Sequence, residues 1–310
     1  MIDSTRLAAA YESCARDGRG HYENFPVGSL LLPAHMRKHV AAVYAFARAA
    51  DDFADEGDRN AGERLELLDG WAARLRQAVS GAESDRALRT GEPEHAREIF
   101  LALGASIREC SLPVELLEDL LSAFRQDVTV TRYATWTEVL DYCRRSAKPV
   151  GRLVLRIAGY RQPSLDLWSD AICTALQLTN FWQDFGVDYR RGRVYLPLEE
   201  QRAHGAREED LAAGAMGSPW QHALIAATAR TRRLFDEGRP LCDALRGRLR
   251  FELRATWLGG TRILDRLDAS GFETAAFRPT LGAADIPWFA WQMLMWAPTR
   301  TAFAQRTRSS

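Results

Sequence analysis

The sequence predicts a single all-α domain, on three observations. Ala- and Leu-rich segments with apolar residues three and four positions apart recur along the 310 residues. Breaks rich in Gly and Pro punctuate them. The one short alternation, residues 128–133, lies between helical segments without a pairing partner and reads as an extended connector. The length is enough to bury a sizeable core, and with no internal repeat or long linker the domain is assigned to residues 1–310, its core to about 21–280.

The helical segments follow in order: 37–56, 61–79, 113–126, 136–157, 165–189, 221–245 and 252–269. The breaks between and around them fall at Gly57, Gly81, 91–93, 159–163, 192–197, 214–219 and 271–279. The apolar segment 286–297, IPWFAWQMLMWA, falls short of the roughly 20 residues that span a bilayer and reads as a buried terminal helix, with membrane contact as its rival.

Composition removes several functions. Forty-one basic and forty-one acidic side chains give zero net charge, so there is no basic excess for nucleic acid. The five cysteines, Cys14, Cys110, Cys143, Cys173 and Cys242, show neither metal-site nor disulfide-framework spacing. A reducing cytoplasm is the compartment they suggest, and the charged first residues do not read as a signal peptide. No dinucleotide fingerprint, P-loop, zincin motif or nucleophile elbow is present.

Two acidic helix faces carry the chemistry. In Tyr44-Ala-Phe-Ala-Arg48-Ala-Ala-Asp51-Asp52-Phe-Ala-Asp55-Glu56, about 100° per residue places Tyr44, Arg48, Asp51 and Asp55 within a face roughly 60° wide. Asp51 and Asp55 stand about 6 Å apart along the axis. A solvated C-terminal turn is the bland reading. Yet stacked Asp residues repel, and negative charge there opposes the helix dipole; a bound cation would remove both objections. In Gln177-Leu-Thr-Asn180-Phe-Trp-Gln183-Asp184-Phe-Gly-Val-Asp188, the residues Asn180, Asp184 and Asp188 again share one face, on an otherwise apolar segment where unpartnered oxygens are costly to bury. Oxygen ligands of this kind suit Mg²⁺, which binds a few carboxylates together with substrate phosphates. Arg48 adds a forked donor for phosphate oxygen. The reaction class implied is ionisation of a diphosphate ester beside an apolar, aromatic pocket. Gln183 falls about 60° off the metal face and reads as tuning the site.

At these residues the chain resembles the squalene/phytoene synthase family, through YAFARAADDFADE, Tyr142-Cys-Arg-Arg-Ser-Ala-Lys-Pro-Val-Gly151, QLTNFWQDFGVDYRRGRVYLP and His21-Tyr-Glu-Asn-Phe25. The resemblance implies an isoprenoid-synthase-type helical bundle around a central lipophilic cavity. It makes Asp51, Asp55, Asn180, Asp184 and Asp188 ligands of about two or three Mg²⁺ ions. It turns His21, Arg48, Arg193 and, through a late arginine, Arg278 toward the diphosphate. It sets Tyr44, Tyr142 and Gln177 along the cavity and adds Asn24, Phe25, Ser146, Gly151 and Tyr195 to the substrate contacts. Packed core is the rival reading for Tyr44 and Tyr142, and close helix packing for Gly151.

Departures narrow the expectation. Gln183 stands where family members usually have Arg, and Gly259 or Gly260 where they usually have Tyr. Fewer phosphate-binding cations suggest a substrate with one diphosphate. The pattern is most like the branch serving bacterial hopanoid biosynthesis, the hydroxysqualene synthases, which convert presqualene diphosphate without NADPH. The alternative is condensation of two farnesyl diphosphates. A non-catalytic relative is disfavoured because both acidic motifs are intact. A sister synthase and a flavin oxidase would be the expected partners, with the protein cytoplasmic and touching the inner membrane face peripherally.

Overall fold

Apolar spacing of three and four residues becomes helix nearly everywhere in the computed structural model, which describes residues 4–20, 31–81, 88–212, 216–272 and 278–299. The helices are α1 Ser4–Gly20, α2 Ala34–Asp55, α3 Ala61–Ser80, α4 Ala96–Cys110, α5 Val114–Asp127, α6 Trp136–Ser146, α7 Lys148–Ile157, α8 Pro163–Gln183, α9 Phe185–Arg190, α10 Leu198–His204, α11 Glu208–Ala212, α12 Ser218–Gly238, α13 Leu241–Ala244, α14 Gly247–Ala269 and α15 Ile286–Leu294, the last preceded by a 3₁₀ turn, Ala283–Asp285. Among the described residues no strand forms. The alternating segment 128–133 makes one isolated parallel bridge, Arg132 with Val194, so it does find a partner, in the extended run before α10. No described helix is long and apolar enough to cross a membrane.

The chain divides into two units: Met1–Thr129 with Pro149–Gln162, and Val130–Lys148 with Pro163–Ser310. In the first, α2, α3 and α4 close on Trp71, whose ring lies 4.5 Å from Phe100 and 5.2 Å from Phe53, each ring pair edge-on. Trp71 Nε1 donates to the Phe46 carbonyl at 3.1 Å, so a fully buried indole leaves no donor unmet. This packing backs the acidic end of α2. In the second unit α8 and α12 approach closely at Gly238, where an added Cβ would stand 2.4 Å from Ile172. Trp182 on α8 donates to Thr231 on α12 at 2.9 Å.

Several helical boundaries differ from the expected ones, for local reasons. The segment 136–157 is two helices parted at Ala147, because Pro149 has no N–H to continue the helix back to residue 145 and is tolerated in the first turn of a new one. Pro240 likewise parts α12 from α13. The segment 165–189 parts at Asp184. Helices α1 and α4 lie outside the expected segments. The buried residues of α1 are small or polar (Ala10, Ser13 and Cys14, beside Tyr11), and α4 is buried almost all round, so neither shows a clean apolar stripe. The expectation of a buried terminal helix is corrected: α15 has no buried residue, and Leu294 is 78% exposed.

Candidate active site

The first acidic motif ends α2, in the first unit. Phe53 and Ala54 point into the core, which leaves Asp51, Asp52, Asp55 and Glu56 at the surface side of the last turn. Arg48 gathers three of them. Its Nη2 lies 2.6 Å from Asp52 and 2.7 Å from Glu56, and its Nη1 lies 3.6 Å from Asp51. Burial alone would lower the Arg48 pKa; Asp52, then Asp51 and Glu56, outweigh it and hold the guanidinium above its ordinary value. The closest of these partners are therefore Asp52 and Glu56, neither of them in the face expected to hold Tyr44, Arg48, Asp51 and Asp55.

The macrodipole objection is met inside the fold as well. Arg64, on α3, donates to the carbonyls of Phe53 at 3.1 Å, Glu56 at 3.1 Å and Gly57 at 2.8 Å. It caps the end of α2 and brings positive charge to its negative pole. Two arginines thus do much of what a cation was invoked to do, and the first motif taken alone argues for metal less strongly than its spacing suggested.

The second motif lies in the second unit. Asp184 sits at the bend between α8 and α9, with φ −95° and ψ 8°. The spacing survives the bend: the Asp184 N–H donates to the Asn180 carbonyl and the Asp188 N–H to the Asp184 carbonyl, both at 2.8 Å. Asn180 Nδ2 donates to Asp184 Oδ2 at 2.9 Å. Arg278 grips the same carboxylate, with Nε on Oδ1 and Nη2 on Oδ2 at 3.2 Å. The neighbouring Gln183 Nε2 donates to the Pro279 carbonyl at 2.5 Å. The consecutive residues 183–184 therefore hold the consecutive residues 278–279.

After α9 the chain reverses at Gly192, whose φ of 81° suits a residue without Cβ. Arg193 donates its N–H to the Asp188 carbonyl at 2.8 Å, and Arg132 Nη1 donates to the Gly192 carbonyl at 2.6 Å. The turn delivers Tyr195 flat onto Phe181, with ring centroids 3.8 Å apart and planes 4° apart. Tyr142 and Tyr133 complete this buried aromatic cluster. Tyr142 and Tyr195 are thus packed among rings. Gln177 is half-buried one turn before Phe181, Tyr44 half-buried on α2, and Gly151 half-buried on α7. Ser146 Oγ is buried with no hydrogen-bond partner. His21, Asn24 and Phe25 lie outside the described residues. The family's late tyrosine finds no room at Gly260, where a Cβ would stand 2.4 Å from the Phe235 ring. Sequence spacing missed Arg64, which reaches back from the start of the next helix, and the Gln183–Pro279 bond, whose partner lies 96 residues further along the chain.

The donor set fits a small hard cation in kind, because every candidate ligand is a carboxylate or amide oxygen. Among the described residues no three His, Cys, Asp or Glu side chains gather closely enough to hold a metal by themselves. Water and phosphate oxygens would have to complete the coordination, which is the usual habit of Mg²⁺. Arg48 Nε is buried without a hydrogen-bond partner, a donor left over for an anion.

A helical fold with oxygen-rich motifs and arginines beside them is that of a prenyl diphosphate enzyme. The profile described as squalene/phytoene synthase matches residues 19–285, through both units, and the chain belongs to that family. It is 38% identical over 235 residues to the hydroxysqualene synthase of Rhodopseudomonas palustris, covering 74% of each chain. It is 38% identical over 221 residues to that of Zymomonas mobilis, covering 70% of this chain and 69% of the relative. The solved structure of squalene synthase HpnC from Alicyclobacillus acidocaldarius superposes with a TM-score of 0.77 at 37% identity, over 87% of this chain and 97% of that one. A dehydrosqualene synthase structure, at 18% identity and a TM-score of 0.79, shares the fold. The protein is therefore a catalytic member of a family that processes prenyl diphosphates.

Proposed function

We propose that this enzyme converts presqualene diphosphate and water into hydroxysqualene and inorganic diphosphate, as a step of hopanoid-type isoprenoid synthesis. The carbon–oxygen bond to diphosphate breaks with its electron pair leaving on oxygen. The cyclopropylcarbinyl cation rearranges, water adds its oxygen, and the proton is lost to solvent. No electron donor enters the balance, so NADPH is not required. The carrying observation is Gln183: beside Asp184 stands a neutral amide, tied to the Pro279 carbonyl, where the family resemblance leads one to expect an arginine. One diphosphate demands less positive charge than two. The names of the relatives at 36–38% identity support the same reading.

Asp51, Asp55, Asn180, Asp184 and Asp188 would hold Mg²⁺, which when bound neutralises charge developing on the leaving diphosphate. Arg48 and Arg278 bind phosphate oxygens, Arg278 keeping Asp184 oriented until they arrive. The rings around Tyr142 offer π-faces that favour nearby positive charge. Peripheral membrane contact, a cytoplasmic location, and a sister synthase and flavin oxidase acting before and after it belong to the same proposal.

The test is turnover of purified protein with Mg²⁺ and no NADPH, offered either presqualene diphosphate or farnesyl diphosphate. Hydroxysqualene from the first substrate alone is expected. A C30 product from farnesyl diphosphate would establish the condensing alternative, which the 34% identity to the Thermus thermophilus phytoene synthase keeps in play. Asp55→Ala and Asp184→Ala should each stop diphosphate release without loss of helicity.

A further inference from the structure

Helix α15 is anchored at both ends and bare along its outer face. At its start the buried Asp285 accepts from Arg266 Nη2 at 2.7 and 2.9 Å, from Arg262 Nε at 3.4 Å and from the Gly282 N–H at 2.9 Å. Just past its end the buried Asp243 accepts from Trp296 Nε1 at 2.9 Å, the Thr299 N–H at 2.8 Å and Arg254 at 2.8 Å. Arg239 donates to the Ala297 carbonyl at 2.8 Å and lies 4.6 Å from the Trp296 ring. Two buried carboxylates and a cation–π contact make this a fixed element, not a loose tail.

A fixed surface helix ordinarily turns polar residues outward. Here the outward residues are Ile286, Trp291, Leu294 and Met295, exposed by 64, 58, 78 and 59%. Trp288, Phe289 and Met293 take the inner side. From Ile286 to Ser310 the sequence has three arginines, Arg300, Arg306 and Arg308, and no Asp or Glu, hence a local charge of +3 in a chain whose total is zero. A second copy is a poor occupant: nine helical residues span about 14 Å, a strip far smaller than the roughly 1,200 Å² that stable dimers bury. Two such patches would also repel. An apolar strip with Trp, followed in sequence by three Arg and no acid, matches the boundary of an anionic bilayer instead.

We propose that the outer face of α15 docks the enzyme on an anionic lipid surface, with Trp291, Leu294 and Met295 entering the headgroup–acyl boundary and the three arginines that follow in the sequence supplying the positive charge. This rests on the lipid-handling reading above only for motive, and it is tested without substrate, so either can fail alone.

The full chain would be floated with phosphatidylcholine vesicles, with and without phosphatidylglycerol. Binding is expected to the anionic vesicles, weakened by salt, and reduced about tenfold or more in Trp291→Ser/Leu294→Ser. The triple change Arg300→Gln/Arg306→Gln/Arg308→Gln should remove the preference for anionic lipid. Absence of binding by the parent, or unchanged binding by the Ser variant, overturns the proposal. So does a dimer by light scattering that the Ser variant abolishes. A lowered melting temperature in that variant would also overturn it, because it would mean that the chain itself covers this face.

Discussion

Arg278 holds both carboxylate oxygens of Asp184 from 94 residues away in sequence. Asp184 is the centre of the second acidic motif, and the Arg278 guanidinium is the positive charge that the fold sets against it. An Arg offers two parallel donors in a fixed fork, whereas a Lys offers a single point charge.

Arg278→Gln should therefore reduce kcat/KM by roughly tenfold to a hundredfold, on the scale of one charge-assisted hydrogen bond to a half-buried anion, about 1.5–3 kcal/mol. Arg278→Lys should recover part of the loss by restoring charge without the fork. Steady-state rates of diphosphate release for the three proteins check this; a Lys variant as poor as Gln would show that charge is not what Arg278 contributes.

Gln183 supplies the second half of the same clasp through the Pro279 carbonyl. Gln183→Arg keeps a donor for that carbonyl and adds a cation beside Asp184. Its melting temperature should match the parent, while the ratio of kcat/KM for farnesyl diphosphate over presqualene diphosphate should rise. A ratio unmoved by the substitution would mean that the neutral amide does not set substrate charge.

The clasp also marks how far the sequence could be read. The helical class, the acidic motifs and the family followed from spacing and from the motif around Asn180, since local periodicity and short motifs are written in consecutive residues. The bend at Asp184 was not legible, because nothing in FWQDFGVD carries a proline to announce it. Arg64 was read only as part of a helix, and its role over the carbonyls of Phe53, Glu56 and Gly57 depends on how α3 folds back beside α2. The exposure of α15 reversed the expectation for the same reason: hydropathy shows that a helix avoids water, not that anything is there to cover it.

The two glycines of α14 separate by packing. At Gly260 an added Cβ would stand 2.4 Å from the buried Phe235 and 2.9 Å from the half-buried Leu176. Gly260→Ala should cost about 1–3 kcal/mol through overpacking. At Gly259 the nearest atom is Leu281 Cδ1 at 3.4 Å, an ordinary contact. Gly259→Ala should leave stability unchanged or raise it by up to about 1 kcal/mol, from helix propensity. Thermal unfolding of both variants decides this, and equal melting temperatures would contradict the crowding at Gly260.

His39 carries a pH dependence that its surroundings assign. The ring is buried, with Nδ1 2.9 Å from Ser106 Oγ and Nε2 3.4 Å from Glu109. Burial lowers its pKa from the ordinary 6.5 and outweighs Glu109, which pulls the other way; Lys38 and His35 add to the lowering. An unfolded chain takes up the proton near 6.5, while the folded chain resists it until a lower pH. The stabilisation is thus complete above 6.5 and is lost as pH falls through 6.5 toward the folded value, at no more than about 1.4 kcal/mol per pH unit. Glu109 is held below its ordinary 4.5, first by its bond to Lys38, and its own contribution is lost only at more acidic pH. Tyr11, pushed up to about 12 by burial, stays neutral throughout. In His39→Gln, which can keep a hydrogen bond to Ser106, the drop in melting temperature between pH 7.5 and about 5.5 should be smaller than in the parent. The other histidines cancel in the comparison, so identical drops in the two proteins would show that His39 is protonated alike in the folded and unfolded chains.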